Sequence, residues 1–379
     1  MAEGQGLLDG LDRQIVDRQI ERHLRALEVE QARATEHFAP GLFYAYRHHP
    51  IGYDVADDGL CYQALTVWAL QRCLPLLPAT YQARVQQICS AVTQHYPLYR
   101  SVPGLQTYNF WQTRPRPRFF PNGHIGHRDE FFRPPDDSDD TAFVYITTPQ
   151  AAEHRRWLKE EKYPKHANLS DGRRIKATLP QWRDLPAYTT FFTEKMPHGY
   201  DVVVMANIMH WVFGQGFALN KHDMATLQIL RETMEQGLYL SRPYQISPYY
   251  PYPANILDCI GRLVADNDNE YTAALRPFII EGARSLLGTK LSPVQRIKMK
   301  SLLLRLGEAV APEAEDTLLA AQQDVDFSYF AFPLATEYSL AFAQWLAPIS
   351  LLRIRFCCPG FNIAASLEYQ LLASRQPSL

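Results

Sequence analysis

From Asp201 onward the apolar residues recur at helical spacing in one segment after another, at 201–219, 223–239, 252–265, 270–287, 292–310, 314–323, 334–347 and 361–373. A chain patterned in this way must bury a stripe of each helix against other helices. Gly237, Pro243, Pro277, Gly288, Pro293, Pro312, Pro348 and Gly360 punctuate the series, and short connectors of this kind favour antiparallel neighbours. Upstream, Leu8, Leu11, Ile15, Ile20, Leu24 and Leu27 predict an amphipathic helix within 1–36, and two further helices are expected at 60–77 and 80–96 with Pro78 between them. The polar region holding Pro164, Pro180 and Pro186 leaves room for a small β-hairpin near Ala187–Phe192. The expectation is a mostly all-α fold of helical hairpins in a single domain over 1–379, either an α/α toroid or an irregular bundle.

Between 98 and 138 the helical period disappears. The chain runs there through Tyr108-Asn109-Phe110-Trp111, the alternating Arg114, Arg116 and Arg118 with prolines, and Phe131-Phe132-Arg133. A long irregular span rich in rings is a candidate wall for a site. Arg114, Arg116 and Arg118 would point to one side of an extended stretch, where they either clamp a diphosphate or carboxylate or form a solvated edge.

The balance of charge narrows the partners. With 38 Lys and Arg against 40 Asp and Glu, the net charge of -2 argues against nucleic acid as the main ligand. No apolar run has the length of a membrane span, and Asp9, Asp12 and Asp17 interrupt the N-terminal leucines, so the expected setting is cytoplasmic with at most peripheral membrane contact. Six cysteines without a Cys-x-x-Cys spacing read as reduced core residues.

The densest chemical signal is Asp136-Asp137-Ser138-Asp139-Asp140-Thr141-Ala142, where the long span enters a helix over Thr141–Thr148 that Ser138 or Asp139 could cap. Carboxyls crowded in this way repel one another, and one of them can stay protonated near neutrality, as a general acid must. Alternatively the run is a solvated helix cap, or the Asp-Asp-x-x-Asp pattern of Asp136 to Asp140 holds magnesium, with Asn267-Asp268-Asn269-Glu270 as an incomplete second motif. His124 and His127, with Asp136 or with Asp129 and Glu130, are a further candidate metal set. Asp54, Asp57 and Asp58 are expected to cap the helix at 60–77.

Asp137-Ser-Asp139-Asp140-Thr-Ala142 resembles the Asp-x-Asp-Asp-Thr-Ala motif of class II terpene cyclases, the squalene–hopene and diterpene cyclase group. The resemblance implies an α/α toroid in which Asp139 protonates an alkene or epoxide of an isoprenoid, with Asp137 and Asp140 as its supports. It further implies an aromatic pocket, for which Tyr108, Phe110, Trp111, Phe119, Phe120, Trp211, Phe213, Tyr249, Tyr250 and Tyr252 are candidates. Asn207 and His210, three apart on one helix, are candidates to hydrogen-bond the acid. No cofactor is needed for such chemistry, and Mg2+ enters only where a diphosphate is bound. The full enzymes pair two toroids, whereas this chain has room for one and carries no run of Gln-Trp repeats, Gln344-Trp345 standing alone, so a second subunit or partner toroid is implied. A carbohydrate-active α/α barrel with paired carboxylates and a non-catalytic helical scaffold remain open beside this reading.

Overall fold

The computed structural model describes residues 2–49, 52–117, 133–170, 172–194, 199–324, 330–331, 345, 349 and 354–376. Its elements are mostly helices. Helix α1 (Ala2–Ala34) is followed by strands β1 (Tyr46–His49) and β2 (Tyr53–Ala56), then by α2 (Leu60–Cys73) and α3 (Ala79–Thr93). Strand β3 (Asp136–Asp137) leads into α4 (Ser138–Thr147), and α5 (Ala152–Trp157) and α6 (Tyr163–His166) precede β4 (Phe191–Phe192). The remainder comprises α7 (Val202–Gly214), α8 (Lys221–Glu235), α9 (Leu238–Ser241), α10 (Pro243–Ile246), α11 (Pro253–Asp266), α12 (Glu270–Leu287), α13 (Pro293–Arg305), α14 (Glu315–Gln322), β5 (Phe330–Ala331), β6 (Ile354–Cys357) and α15 (Pro359–Ala373).

The helices divide by how much of their circumference is buried. Every residue of α2 from Leu60 to Leu70 is buried, as is every residue of α7 from Val202 to Met209, so these helices are covered on all sides. In α8 the buried positions, among them Ala225, Ile229, Leu230 and Thr233, form one stripe. The packing follows this division: α2 lies on α4, α4 on α7, α7 on α11, α11 on α13, α13 on α15, and α15 returns to α2. Outside this closed circuit α3 covers α2, α8 covers α7, α12 covers α11 and α13, α14 covers α13 and α15, and α1 covers α15.

Helices of the circuit also share a direction. Cys61 and Asp139, in the first turns of α2 and α4, meet Asn207 in the second turn of α7 and Tyr250 just ahead of α11. At the opposite end the last turn of α2 pairs with the last turn of α11 through Arg72 and Asp266 at 3.0 Å, and Arg305 at the end of α13 reaches the Arg72 carbonyl at 3.3 Å.

Helix boundaries follow local chemistry. Asn220, Asn269 and Ser292 form capping boxes with Asp223, Thr272 and Gln295 and start α8, α12 and α13. Gly307, with φ 78, stands just past the end of α13 and halts it at Arg305, short of the expected 310. Pro277 lies inside α12 rather than between helices.

Three expectations need correction. Phe191 and Phe192 do not form a local hairpin, because their ladder partners are Asp137 and Asp136. Asp137, not Ser138 or Asp139, caps α4. The N-cap of α2 is Gly59, with no side-chain bond; Asp57 is engaged by Arg47, Asp58 by Gln112 and Asp54 by His48. The sequence reading also missed a four-stranded sheet of order β2-β1-β6-β5, in which β6 joins the N-terminal hairpin to the C-terminal region. All six cysteines are buried and none is in a disulfide. No described helix is long and apolar enough to cross a membrane.

Candidate active site

The acidic turn is held by backbone before it is shaped by side chains. The Asp137 N–H donates to the Tyr108 carbonyl at 2.8 Å and the Ser138 N–H to the Thr190 carbonyl at 2.9 Å. Thr141 Oγ1 donates to the Asp137 carbonyl at 2.7 Å and accepts from the Tyr108 N–H at 3.0 Å. Asn109 ties the turn further by donating to the Pro134 and Pro135 carbonyls at 2.8 and 3.1 Å. The irregular span thus serves as a clamp on the start of α4, and its Thr107 hydroxyl occupies Asp136 at 2.6 Å.

At the cap, Asp137 Oδ1 accepts the N–H groups of Asp139 at 2.7 Å and Asp140 at 3.4 Å. This cap begins a helix whose first four residues, Ser138 to Thr141, are all buried. Asp139 is 2 % exposed, with Asn207 Nδ2 donating to its Oδ1 at 2.8 Å and the Tyr250 hydroxyl donating to its Oδ2. The same hydroxyl lies 3.6 Å from Cys61 Sγ.

Electrostatics separate the carboxyls. Burial raises the Asp139 pKa, while the bonds from Tyr250 and Asn207 and the charge of Arg262 oppose it, leaving a value of about 6. Asp140 has an Oδ1 without a hydrogen-bond partner, and burial together with Asp137 and Asp139 pushes its carboxyl well above the ordinary range. Asp137 is raised in the same way by burial and by Asp139. Asp201, at the N-cap of α7, accepts from Ser247 Oγ at 2.7 Å and from the N–H groups of Val203 at 2.9 Å and Tyr249 at 3.0 Å. Burial still brings it to about 7, with Asp139 adding to the rise. This end of the helical circuit therefore gathers buried carboxyls whose pKa values burial and one another's charge raise.

The sequence candidates separate into those at this end of the circuit and those elsewhere. Asp137, Asp139, Asp140, Asn207, Tyr249 and Tyr250 come together there, the ring of Tyr249 standing edge-on to Phe191 at 5.5 Å. Phe110 and Trp111 belong to a neighbouring cluster at the start of α2: Phe110 packs on Tyr62 at 5.6 Å and Phe356 at 5.8 Å, and Trp111 Nε1 donates to Asp57 at 3.0 Å. Trp211 is buried among Tyr145, Tyr163 and Phe217, and Phe213 stacks on Tyr271, which places both in the packing between helices. Tyr108 is 7 % exposed and acts through its backbone.

His210 is one turn past Asn207, against the Trp68 ring at 4.6 Å with its Nδ1 3.5 Å from Asn267 Nδ2, and burial pushes its pKa down to about 4. Arg114 and Arg116 are exposed, the Arg114 guanidinium donating to the Ser101 carbonyl at 3.5 Å. Phe119, Phe120, Arg118, His124 and His127 fall outside the described residues. Among the described residues no three His, Cys, Asp or Glu side chains gather as a metal-holding group.

Cys61, Asp201 and Arg262 were not anticipated. The signal for Asp201 was its position directly before the apolar Val202-Val203-Val204. For Arg262 it was a single cation on the apolar face of α11, where it stands over Trp68 at 4.6 Å.

Comparison with protein-family models, with curated proteins and with solved structures finds no match to this chain.

Proposed function

We propose that this protein is an α/α-toroid enzyme in which Asp139 acts as a general acid and starts the cyclisation of an isoprenoid, in the manner of class II terpene cyclases. The toroid is our reading of the closed circuit of six described helices with outer helices returning the chain between them. The observation that carries the catalytic reading is a buried acid, Asp139, held on both oxygens by Asn207 and Tyr250 beside a second carboxyl, Asp140, that favours its protonated form.

The chemistry follows from those contacts. Burial lifts the Asp139 carboxyl to about 6 against the pull of Tyr250 and Asn207, which brings its proton within reach of neutral pH, and burial raises Asp137 and Asp140 beside it. Transfer of the Asp139 proton to an alkene or epoxide makes a C–H or O–H bond and leaves a carbocation and a carboxylate. The carboxylate is then met by two donors already in place, Asn207 Nδ2 and the Tyr250 hydroxyl, so little reorganisation accompanies its formation. Among the described rings gathered with Asp139, Tyr249 is the candidate to offer a π system to a cation in this region. The step requires no metal; Mg2+ serves only to bind a diphosphate where the substrate carries one. A second subunit or partner toroid would close this end of the circuit against water.

The test is product analysis by mass spectrometry. Wild type and Asp139→Asn are incubated with farnesyl diphosphate, geranylgeranyl diphosphate and squalene, each with and without a chelator. Cyclised product from wild type alone, retained in the presence of chelator with squalene, is expected. Cyclised product that persists in Asp139→Asn would overturn the role of Asp139, and chelator-sensitive release of diphosphate would favour a metal-dependent prenyl-diphosphate enzyme.

One observation favours a second reading. Asp201 is another buried carboxyl with a pKa of about 7 that feels the charge of Asp139, and two coupled acids suit a carbohydrate-active barrel. Release of reducing sugar from a glycan panel, lost in Asp139→Asn, would establish that reading instead.

A further inference from the structure

We infer that Asp201 is a positioning residue: it ties the segment between α10 and α11 to the start of α7 and so holds the Tyr250 hydroxyl on Asp139. Its bearing on catalysis rests on Asp139 being the general acid, whereas the tie itself can be read without any substrate. The two donors to Asp139 come from separate elements, Asn207 from the second turn of α7 and Tyr250 from the segment ahead of α11. One carboxyl, 1 % exposed, joins those two elements.

Asp201 divides its two oxygens between the two sides. Oδ1 accepts from the Val203 N–H at 2.9 Å, which caps α7, and from Ser247 Oγ at 2.7 Å, while Oδ2 accepts from the Tyr249 N–H at 3.0 Å. Ser247 and Tyr249 stand on either side of Pro248, and Tyr250 is the next residue. Two bonds to one side chain thus fix the chain immediately before the hydroxyl that reaches Asp139.

The segment needs such a tie. Helix α10 ends at Ile246, α11 begins at Pro253, and between them Pro248 and Pro251 have no N–H to give. A carboxyl at position 201 is also a costly choice, because it is buried close enough to Asp139 for the two charges to oppose each other. Serine or asparagine would cap α7 without that cost. Neither has a second accepting oxygen for the Tyr249 N–H, and that oxygen is what the carboxylate adds.

The experiment follows the Asp139 carboxyl carbon by NMR across pH in the full chain, with the resonance assigned by its loss in Asp139→Asn. In the wild-type background Tyr250→Phe should raise the Asp139 pKa by about 1–2 units. Asp201→Ser keeps a cap for α7 and takes the second oxygen away. In that background the same Tyr250→Phe change should move the pKa by less than about a third as much, because the hydroxyl has already left Asp139. Comparing increments cancels the lost Asp201 charge, which both arms share. Ser247→Ala leaves the cap and the charge in place, so it serves as the background should Asp201→Ser not fold, and there the increment should fall partway. A full increment in the background used, or none in wild type, would overturn the positioning role. The acid role is judged separately by cyclised product: an increment lost in Asp201→Ser with no product from wild type would leave the tie standing and remove its catalytic meaning, and a full increment with product lost only in Asp139→Asn would do the reverse.

Discussion

Asn207 Nδ2 donates to Asp139 Oδ1 at 2.8 Å, and through that bond the second turn of α7 fixes the orientation of an acid in the first turn of α4. The bond favours the ionised form, as does the one from Tyr250, and together with Arg262 they keep Asp139 at about 6 while Asp140 is driven further up. Removing a donor, in Asn207→Ala or Tyr250→Phe, is therefore expected to raise the Asp139 pKa by about 1–2 units. An acid that works when protonated loses activity as pH rises through its pKa, so the alkaline limb of the pH–rate profile should move to higher pH. The same shift should appear in the carboxyl carbon resonance of Asp139. A limb that stays in place or moves toward acid would contradict the assignment.

Asp140 is expected to cost stability above neutral pH. Its folded pKa lies well above 3.8 because of burial, Asp137 and Asp139. Below about pH 4 it is protonated in both folded and unfolded chains; as pH rises the unfolded form ionises first, and the stability present in acid is lost on passing through the folded pKa. Asp140→Asn keeps the shape and cannot ionise. The variant should gain about 1–3 kcal/mol in urea unfolding at pH 8 and lose that advantage near pH 4. A deficit equal at every pH would show that Asp140 is held for packing alone.

How much of this was legible depended on whether the signal was local. The stripe in α8 is a property of neighbouring residues and could be read directly, whereas the caps at Asn220 and Ser292, though equally local, went unnamed and the cap of α4 was expected at Ser138 or Asp139 rather than Asp137. The pairing of Asp137 with Phe191 and of Tyr46 with Cys357 joins segments far apart in the chain, and hydrophobic period carries no information about such partners. Aromatic composition misled for a similar reason: Trp211 and Phe213 read as pocket walls, but only the rotation of α7 within the circuit decides that they face other helices. Asn207 and His210 share a helix face, and a single turn of rise separates the acid's partner from a neighbour of Trp68 and Asn267.

The seam between α11 and α13 gives a test of how tightly the circuit closes. A Cβ on Gly261 would fall 2.5 Å from both Cδ atoms of Leu302, which is 3 % exposed. Gly261→Ala is expected to lose about 1–3 kcal/mol despite the better helix propensity of alanine, because the added methyl overpacks the contact. Combining it with Leu302→Ala should recover part of that loss, measured as a coupling energy in denaturant unfolding. Strict additivity of the two changes would mean that the residues do not meet across the seam.

Arg47 and Asp57 form a buried ion pair beside the start of α2. Their side chains are 1 % and 0 % exposed, Arg47 Nε lies 2.5 Å from Asp57 Oδ2, and Asp57 Oδ1 also accepts from Trp111 Nε1 and the Gly59 N–H at 3.0 Å each. This one carboxylate thus joins β1, the irregular span and the start of α2. Arg47→Met keeps the volume but leaves Asp57 buried beside an apolar chain, at a cost of about 3–5 kcal/mol. Adding Asp57→Asn removes the stranded charge while keeping an acceptor for Trp111 and Gly59, so the double variant should be more stable than Arg47→Met alone. Urea unfolding followed by tryptophan fluorescence measures both. If the double variant proves less stable than Arg47→Met, the loss lies in Arg47's packing over the Trp111 and Phe356 rings, at 5.4 and 6.0 Å, rather than in the unpaired carboxylate.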